Sequence, residues 1–177
     1  MILGLNSTAM RATLIALVGT ISVLAQSEKT PAAPEPEALG AIYYLDTAKN
    51  SLVALERQAA KASSGMFHSS AEIRLERSPV RINGGAGQDF AVSLAAGVDP
   101  KKFELFPMEV KKGKRRTVMA SAKIFSVEMG KSSIALEIKR HGSASYKLSP
   151  AQKLPAGEYC FSPADSDEAF CFGIEPR

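Results

Sequence analysis

Leu154-Pro155-Ala156-Gly157-Glu158-Tyr159-Cys160-Phe161 and Ala169-Phe170-Cys171-Phe172-Gly173-Ile174, joined by Ser162-Pro163-Ala164-Asp165-Ser166-Asp167-Glu168, read as two short strands facing each other across a polar turn. Strand side chains alternate between faces, so pairing Phe161 with Phe170 sets Cys160 opposite Cys171 on one face. Tyr159, Phe161, Phe170 and Phe172 then all point to the other. The aromatic face is expected to be core. In an oxidising compartment the opposed cysteines are expected to form a disulfide, closing a loop worth about 3 kcal/mol. Two buried free thiols are the alternative, because a free cysteine also behaves as a small hydrophobe. A zinc site is disfavoured, since two sulfurs with no second cysteine pair and no nearby histidine fall short of a four-ligand shell.

Upstream, the same two-residue rhythm recurs between clusters of Gly, Pro, Asn and Asp, and it predicts an all-β chain. Ile42-Tyr43-Tyr44-Leu45 and Leu52-Val53-Ala54-Leu55 flank Asp46-Thr47-Ala48-Lys49-Asn50, a hairpin whose turn residues bond their own backbone. Ala71-Glu72-Ile73-Arg74-Leu75-Glu76 predicts a half-buried strand with Ala71, Ile73 and Leu75 inward. Phe90–Leu94, Ile134–Lys139 and the pair Tyr146 and Leu148 continue the alternation. Phe103–Val110 and Thr117–Val127 are expected as two longer strands around Lys112-Gly113, with Pro107 at an edge or bulge because it donates no ladder bond. Glu56–Ser64, with Ala59, Ala60 and Ala62 ahead of Gly65, is expected as a short helix.

The first residues carry the signals of export. Met10-Arg11 precedes the apolar run Ala12–Ala25, which ends in small residues and is short for a membrane span. Residues 1–25 are expected to be a signal peptide cleaved after Ala25, with Met10 an alternative start; an N-terminal anchor or a core helix is the other reading. Residues 26–39, rich in Pro, Ala and Glu, are expected to be a disordered tether, and 40–177 a single folded domain. No cysteine stands near the cleavage site to carry a lipid. The mature chain is expected to hold no transmembrane span, because no other apolar run reaches about 18 residues. At 45% hydrophobic and 23% charged, the composition is that of an ordinary globular domain. Losing Arg11 with the leader leaves 21 basic against 18 acidic residues, +3, too mild a charge to demand a polyanion by itself.

Leu154-Pro155-x-Gly157-x-Tyr159 resembles the tyrosine corner of immunoglobulin-like β-sandwiches. Together with Phe170-Cys171-Phe172-Gly173-Ile174 and Ile42-Tyr43-Tyr44-Leu45-Asp46, it is also similar to exported bacterial β-rich proteins of unknown function. The resemblance implies an immunoglobulin-like antiparallel β-sandwich in which Tyr159 and Gly157 are structural. The chain departs from true immunoglobulin domains in lacking Trp and in the close spacing of its cysteines. No activity follows from it.

The supply of catalytic groups is thin. His68 and His141 are the only histidines, each in a Ser/Gly-rich context that reads as a solvated loop. No nucleophile elbow, zinc-protease helix, P-loop or dinucleotide fingerprint occurs, and Gly84-Gly85-Ala86-Gly87 leads into a strand rather than a helix. Met66-Phe67-His68 offers copper too few ligands for a site. Asp165-Ser166-Asp167-Glu168 lacks the glycine and distant glutamate of a calcium loop. No catalytic residue, metal ligand set or cofactor is therefore assigned. One feature carries an electrostatic argument: Lys111, Lys112, Lys114, Arg115 and Arg116 put five cations in six residues, extended by Lys101, Lys102 and Lys123. On a hairpin tip these are candidates for an anionic ligand; a solvated turn that discourages edge pairing is the plainer reading. Without aromatic residues to stack on bases, nucleic acid is not expected as the partner. The expectation is an exported, periplasmic or secreted, non-enzymatic module that binds or supports another envelope protein or an anionic surface polymer. An enzyme of unrecognised type and a periplasmic copper carrier are the alternatives.

Overall fold

Alternating side chains become fourteen strands among the described residues, with a single 3-10 turn at Pro100–Lys102. The computed structural model describes residues 34–177 except 65–67, 74, 124–125, 130–132 and 165, and leaves the side chains of 62–70 and 118–132 undescribed. The expected leader, 1–25, and residues 26–33 of the expected tether lie outside the described residues. In chain order the strands are β1 (Ile42–Asp46), β2 (Ser51–Ala54), β3 (Glu56–Ala59), β4 (Lys61–Ser64), β5 (His68–Ile73), β6 (Arg81–Asn83) and β7 (Phe90–Ser93). They continue as β8 (Phe103–Lys111), β9 (Lys114–Lys123), β10 (Ser126–Met129), β11 (Leu136–Arg140), β12 (Ser145–Pro150), β13 (Gly157–Pro163) and β14 (Glu168–Glu175).

Five of them form an antiparallel sheet in the order β11-β12-β7-β1-β2. The expected β1–β2 hairpin is present: Tyr44 pairs with Val53, Asp46 Oδ1 accepts from the Lys49 amide at 3.2 Å, and Asn50 turns the chain at φ 47°. The larger sheet runs β3-β14-β13-β8-β9-β5-β4, with β10 beside β9 and β6 parallel to β14.

The two ends of that larger path are one continuous piece of chain. Glu56–Ala59 pairs with β14, and Lys61–Ser64 pairs with β5. The ladder therefore closes on itself as a ring of six strands, counting 56–64 as one, and the Ala60 amide between its halves donates to the Asp167 carbonyl at 2.7 Å. The helix expected over Glu56–Ser64 is thus corrected to strand. Burial there alternates with period two, Glu56, Gln58 and Ala60 less exposed than Arg57, Ala59 and Lys61. Pairing on both sides outweighs alanine's helix preference, which is worth under about 1 kcal/mol per residue.

Two cores result. Ile42, Tyr44, Phe90, Val92 and Leu148 of the five-stranded sheet pack on Leu105, Phe161, Phe170, Phe172 and Ile174 of the larger one, so the two antiparallel layers form a sandwich-like arrangement. Phe90 sits at its centre, its ring 5.0 Å from Phe161 and 4.6 Å from Phe172. Inside the ring a second, smaller core gathers Ile73, Cys160, Ala169 and Cys171 against Ala60 and Met108. A ring of only six strands has little internal room. Small residues such as Ala60, Ala169 and the two cysteines leave space for the larger Ile73, Phe106 and Met108, and a cavity of about 30 Å³ remains among Ala71, Ile73, Phe106 and Cys160.

The C-terminal hairpin has the expected register, with Phe161 opposite Phe170 and Cys160 opposite Cys171, and the two cysteines form a disulfide. Its aromatic face is in the sandwich core and its cysteine face lines the ring, so β13 and β14 are buried on both sides. The Tyr159 hydroxyl donates to the Pro155 carbonyl at 3.0 Å, while a Cβ at Gly157 would meet the Tyr159 ring at 3.5 Å. Burial raises the phenol's pKa. Replacing Tyr159 with Phe is expected to cost about 1–2 kcal/mol, the loss of one part-buried hydrogen bond. Denaturant midpoints read this directly, and an unchanged midpoint would refute the contribution.

Two other expectations are revised, and a third, for Pro107, holds locally. Thr117–Val127 is a hairpin rather than one strand, β10 folding back on β9 with Ser126 opposite Lys123. The strand expected over Ala71–Glu76 ends at Ile73, and Leu75 is 48% exposed. Pro107 lies between two neighbours but is locally at an edge, because the described β8–β9 register covers only Glu109–Lys111.

Candidate functional site

Lys112 and Gly113 take the two left-handed positions of the β8–β9 turn, φ 53° and 73°, between the paired residues Lys111 and Lys114. Two successive positive φ values give the tight two-residue turn that suits strand twist, and glycine at the second position has no Cβ to oppose it. Strand alternation then separates the cations. Lys111 and Lys114 face each other, and Arg116, two residues on, lies on their side opposite Glu109. Lys111, Lys114 and Arg116, with Lys112 and Glu72, line an open hollow outside the ring. Lys114 Nζ lies 3.2 Å from Glu72 Oε2, whereas Lys111 and Lys112 have no ion-pair partner among the described residues.

Arg115 does not belong to this hollow. Its place in the alternation turns it into the ring, where its side chain is fully buried, and its expected role as a surface cation is corrected. Nε donates to the Leu75 carbonyl at 2.9 Å, Nη2 lies 2.9 Å from Glu56 Oε2 and Nη1 3.8 Å from Glu158 Oε2. Both contacts to carboxylates are ion pairs without hydrogen-bond alignment. Glu158 also accepts from the Ser78 amide at 3.0 Å and from Arg81 Nη1. Arg81 Nε continues the relay to Glu175 at 2.6 Å, and Arg77 joins there at the surface. Burial pulls the Arg81 pKa down, but hydrogen bonds to Glu158 and Glu175 outweigh it and leave it raised. The Arg81 hydrogen bond holds the Glu175 carboxyl below its usual range. A Cβ at Gly173 would fall on the Arg81 guanidinium, so glycine there makes the pairing with Glu158 possible.

No protein-family model, curated protein or solved structure matches this chain.

The other singled-out residues are dispersed. Pro100–Lys102 precedes the start of β8, and nine strand residues, about 30 Å at 3.3 Å each, separate it from the tip. Lys101 and Lys102 therefore do not extend the basic patch. The side chains of Lys123 and His68, and all of Met66, Phe67 and Asp165, lie outside the described residues. Glu168 is paired with Arg57, and the Asp167 carbonyl with the Ala60 amide. His141 Nε2 is 3.0 Å from the Pro34 carbonyl oxygen rather than simply solvated. Sequence reading missed Glu56, Arg81, Glu158 and Glu175. One signal pointed to them: Glu158 stands two residues before Cys160 and so shares the buried cysteine face, where a carboxylate requires a cation.

Proposed function

We propose that this chain is an exported, non-enzymatic binding module of the cell envelope or secreted fraction whose β8–β9 tip takes an anionic surface polymer. The observation that carries the reading is the tip itself. Lys111, Lys112 and Lys114 stand exposed on a tight turn and, with Arg116, outnumber the one carboxylate lining the same hollow among the described residues, Glu72. Such a cluster attracts polyanions through exposed, screenable charges. No aromatic residue lines the hollow among the described residues, which favours phosphate, sulfate or carboxylate groups over stacked bases. The disulfide supports an oxidising compartment.

The test is association of the chain with anionic envelope material, polyphosphate and anionic lipid vesicles across a salt series. Three phosphate-type contacts should weaken binding on the order of tens of fold between about 50 and 200 mM salt. Neutralising Lys111, Lys112, Lys114 and Arg116 to Gln should abolish association and leave the melting temperature nearly unchanged, because exposed charges contribute little to stability. Arg115 is kept intact so that folding is not the variable. Binding that survives the four changes, or none at low salt, would reject the reading.

A further inference from the structure

The segment expected to be a free tether is docked where it is described. His141 Nε2 lies 3.0 Å from the Pro34 carbonyl oxygen, and Ser145 Oγ donates to Glu35 Oε2 at 2.8 Å. Ser145 is fully buried, Pro36 is buried, and a Cβ at Gly142 would fall on the Glu35 carboxylate. The chain then leaves along β7, the Gly40 amide donating to the Ser93 carbonyl at 2.7 Å.

The receiving turn, between β11 and β12, is organised independently of the segment it holds. The His141 amide donates to the Ser145 carbonyl at 3.0 Å, Arg140 Nη1 donates to the Tyr146 hydroxyl at 2.7 Å, and the same guanidinium lies 5.0 Å over the Tyr146 ring. The segment is also pre-shaped: Pro34 has a fixed φ, and Pro36 biases Glu35 toward extended backbone, so little entropy is lost on docking. The Ser145 hydroxyl holds the Glu35 carboxylate, the His141 imidazole takes the Pro34 carbonyl and the missing Cβ of Gly142 leaves room for the acidic side chain, so together they fit a glutamate on an extended, proline-flanked backbone.

We propose that the β11–β12 turn is a peptide-docking site for a proline-flanked carboxylate, occupied in cis by Pro34-Glu35-Pro36, and that it takes the same acidic peptide in trans once this strap is displaced. The site stands apart from the basic tip and does not depend on its reading.

The test uses the full chain. Glu35→Ala and Gly142→Ala act on opposite sides of one contact. Each should speed hydrogen exchange of the Gly40 amide about tenfold, the size expected for losing a hydrogen bond to a charged group, and the double variant should add nothing further. The melting temperature serves as the folding control, with Ser145→Ala as a second probe of the same contact if either variant is poorly folded. A synthetic peptide of residues 32–38, at millimolar concentration, should shift the Ser145 and His141 resonances of the Glu35→Ala chain. Its Glu35→Gln counterpart should not, and the Glu35→Ala/Gly142→Ala chain should not respond to either. Unchanged Gly40 exchange, no shift with the acidic peptide, or equal shifts with the Gln peptide would overturn the proposal.

Discussion

Replacing Arg115 with Met is expected to lower the unfolding free energy by about 3–5 kcal/mol, while Lys112→Met, three residues away in the same basic run, should move it by less than about 0.5 kcal/mol. Arg115 is fully buried inside the ring between Glu56 and Glu158, and its Nε holds the Leu75 carbonyl. Removing the cation leaves Glu56 buried beside Gln58 with no opposite charge, and a carboxylate in that state costs far more than its own pair contributed. Glu158 is less affected, because Arg81 still pairs with it. Arg115→Lys should recover only part of the loss, since an ammonium cannot reach Leu75, Glu56 and Glu158 as a planar fork does. Denaturant melts of the three variants decide the matter. Equal effects at positions 112 and 115 would mean that Arg115 is not a buried cation.

The second large effect lies in the same enclosure. Replacing both Cys160 and Cys171 with Ala is expected to cost about 3 kcal/mol, the loop-closure value for cysteines 11 residues apart. Any loss of packing in the ring adds to this, because both residues belong to its small core. Burial also blocks access to the sulfurs: Cys160 is 3% exposed and Cys171 0%. A reductant and alkylating agent should therefore label the pair only as fast as the chain opens. Mass spectrometry of samples quenched along a denaturant series measures this. Complete labelling under native conditions within minutes would contradict the enclosure.

Local chemistry was legible from the residues alone. Alternation in Gly157–Phe161 and Ala169–Ile174 set the hairpin register and brought Cys160 opposite Cys171, because side-chain direction in a strand depends only on position parity. Asp46 and Asn50 marked the first turn, and Lys112-Gly113 marked the basic one, because turn residues act on their own backbone. Arg115 was not legible in this way: read as one of five exposed cations, it is enclosed because Glu56 and Glu158 meet it across the ring.

What an isolated stretch of residues does not contain is the identity of its distant neighbours. Glu56–Ser64 is strand because β14 and β5 flank it, while Ala59, Ala60 and Ala62 mimic a helix in local propensity. Pro34-Glu35-Pro36 resembles any flexible linker until Ser145, Gly142 and His141, over a hundred residues later, supply its partners. The sequence alone thus determined the all-β class, the register of the C-terminal hairpin and the turns at Asp46–Asn50 and Lys112-Gly113. Only the tertiary structure decided that the larger sheet closes, which cation is enclosed and where the N-terminal segment rests, because these depend on contacts between residues far apart in the chain, whose energies no local period records.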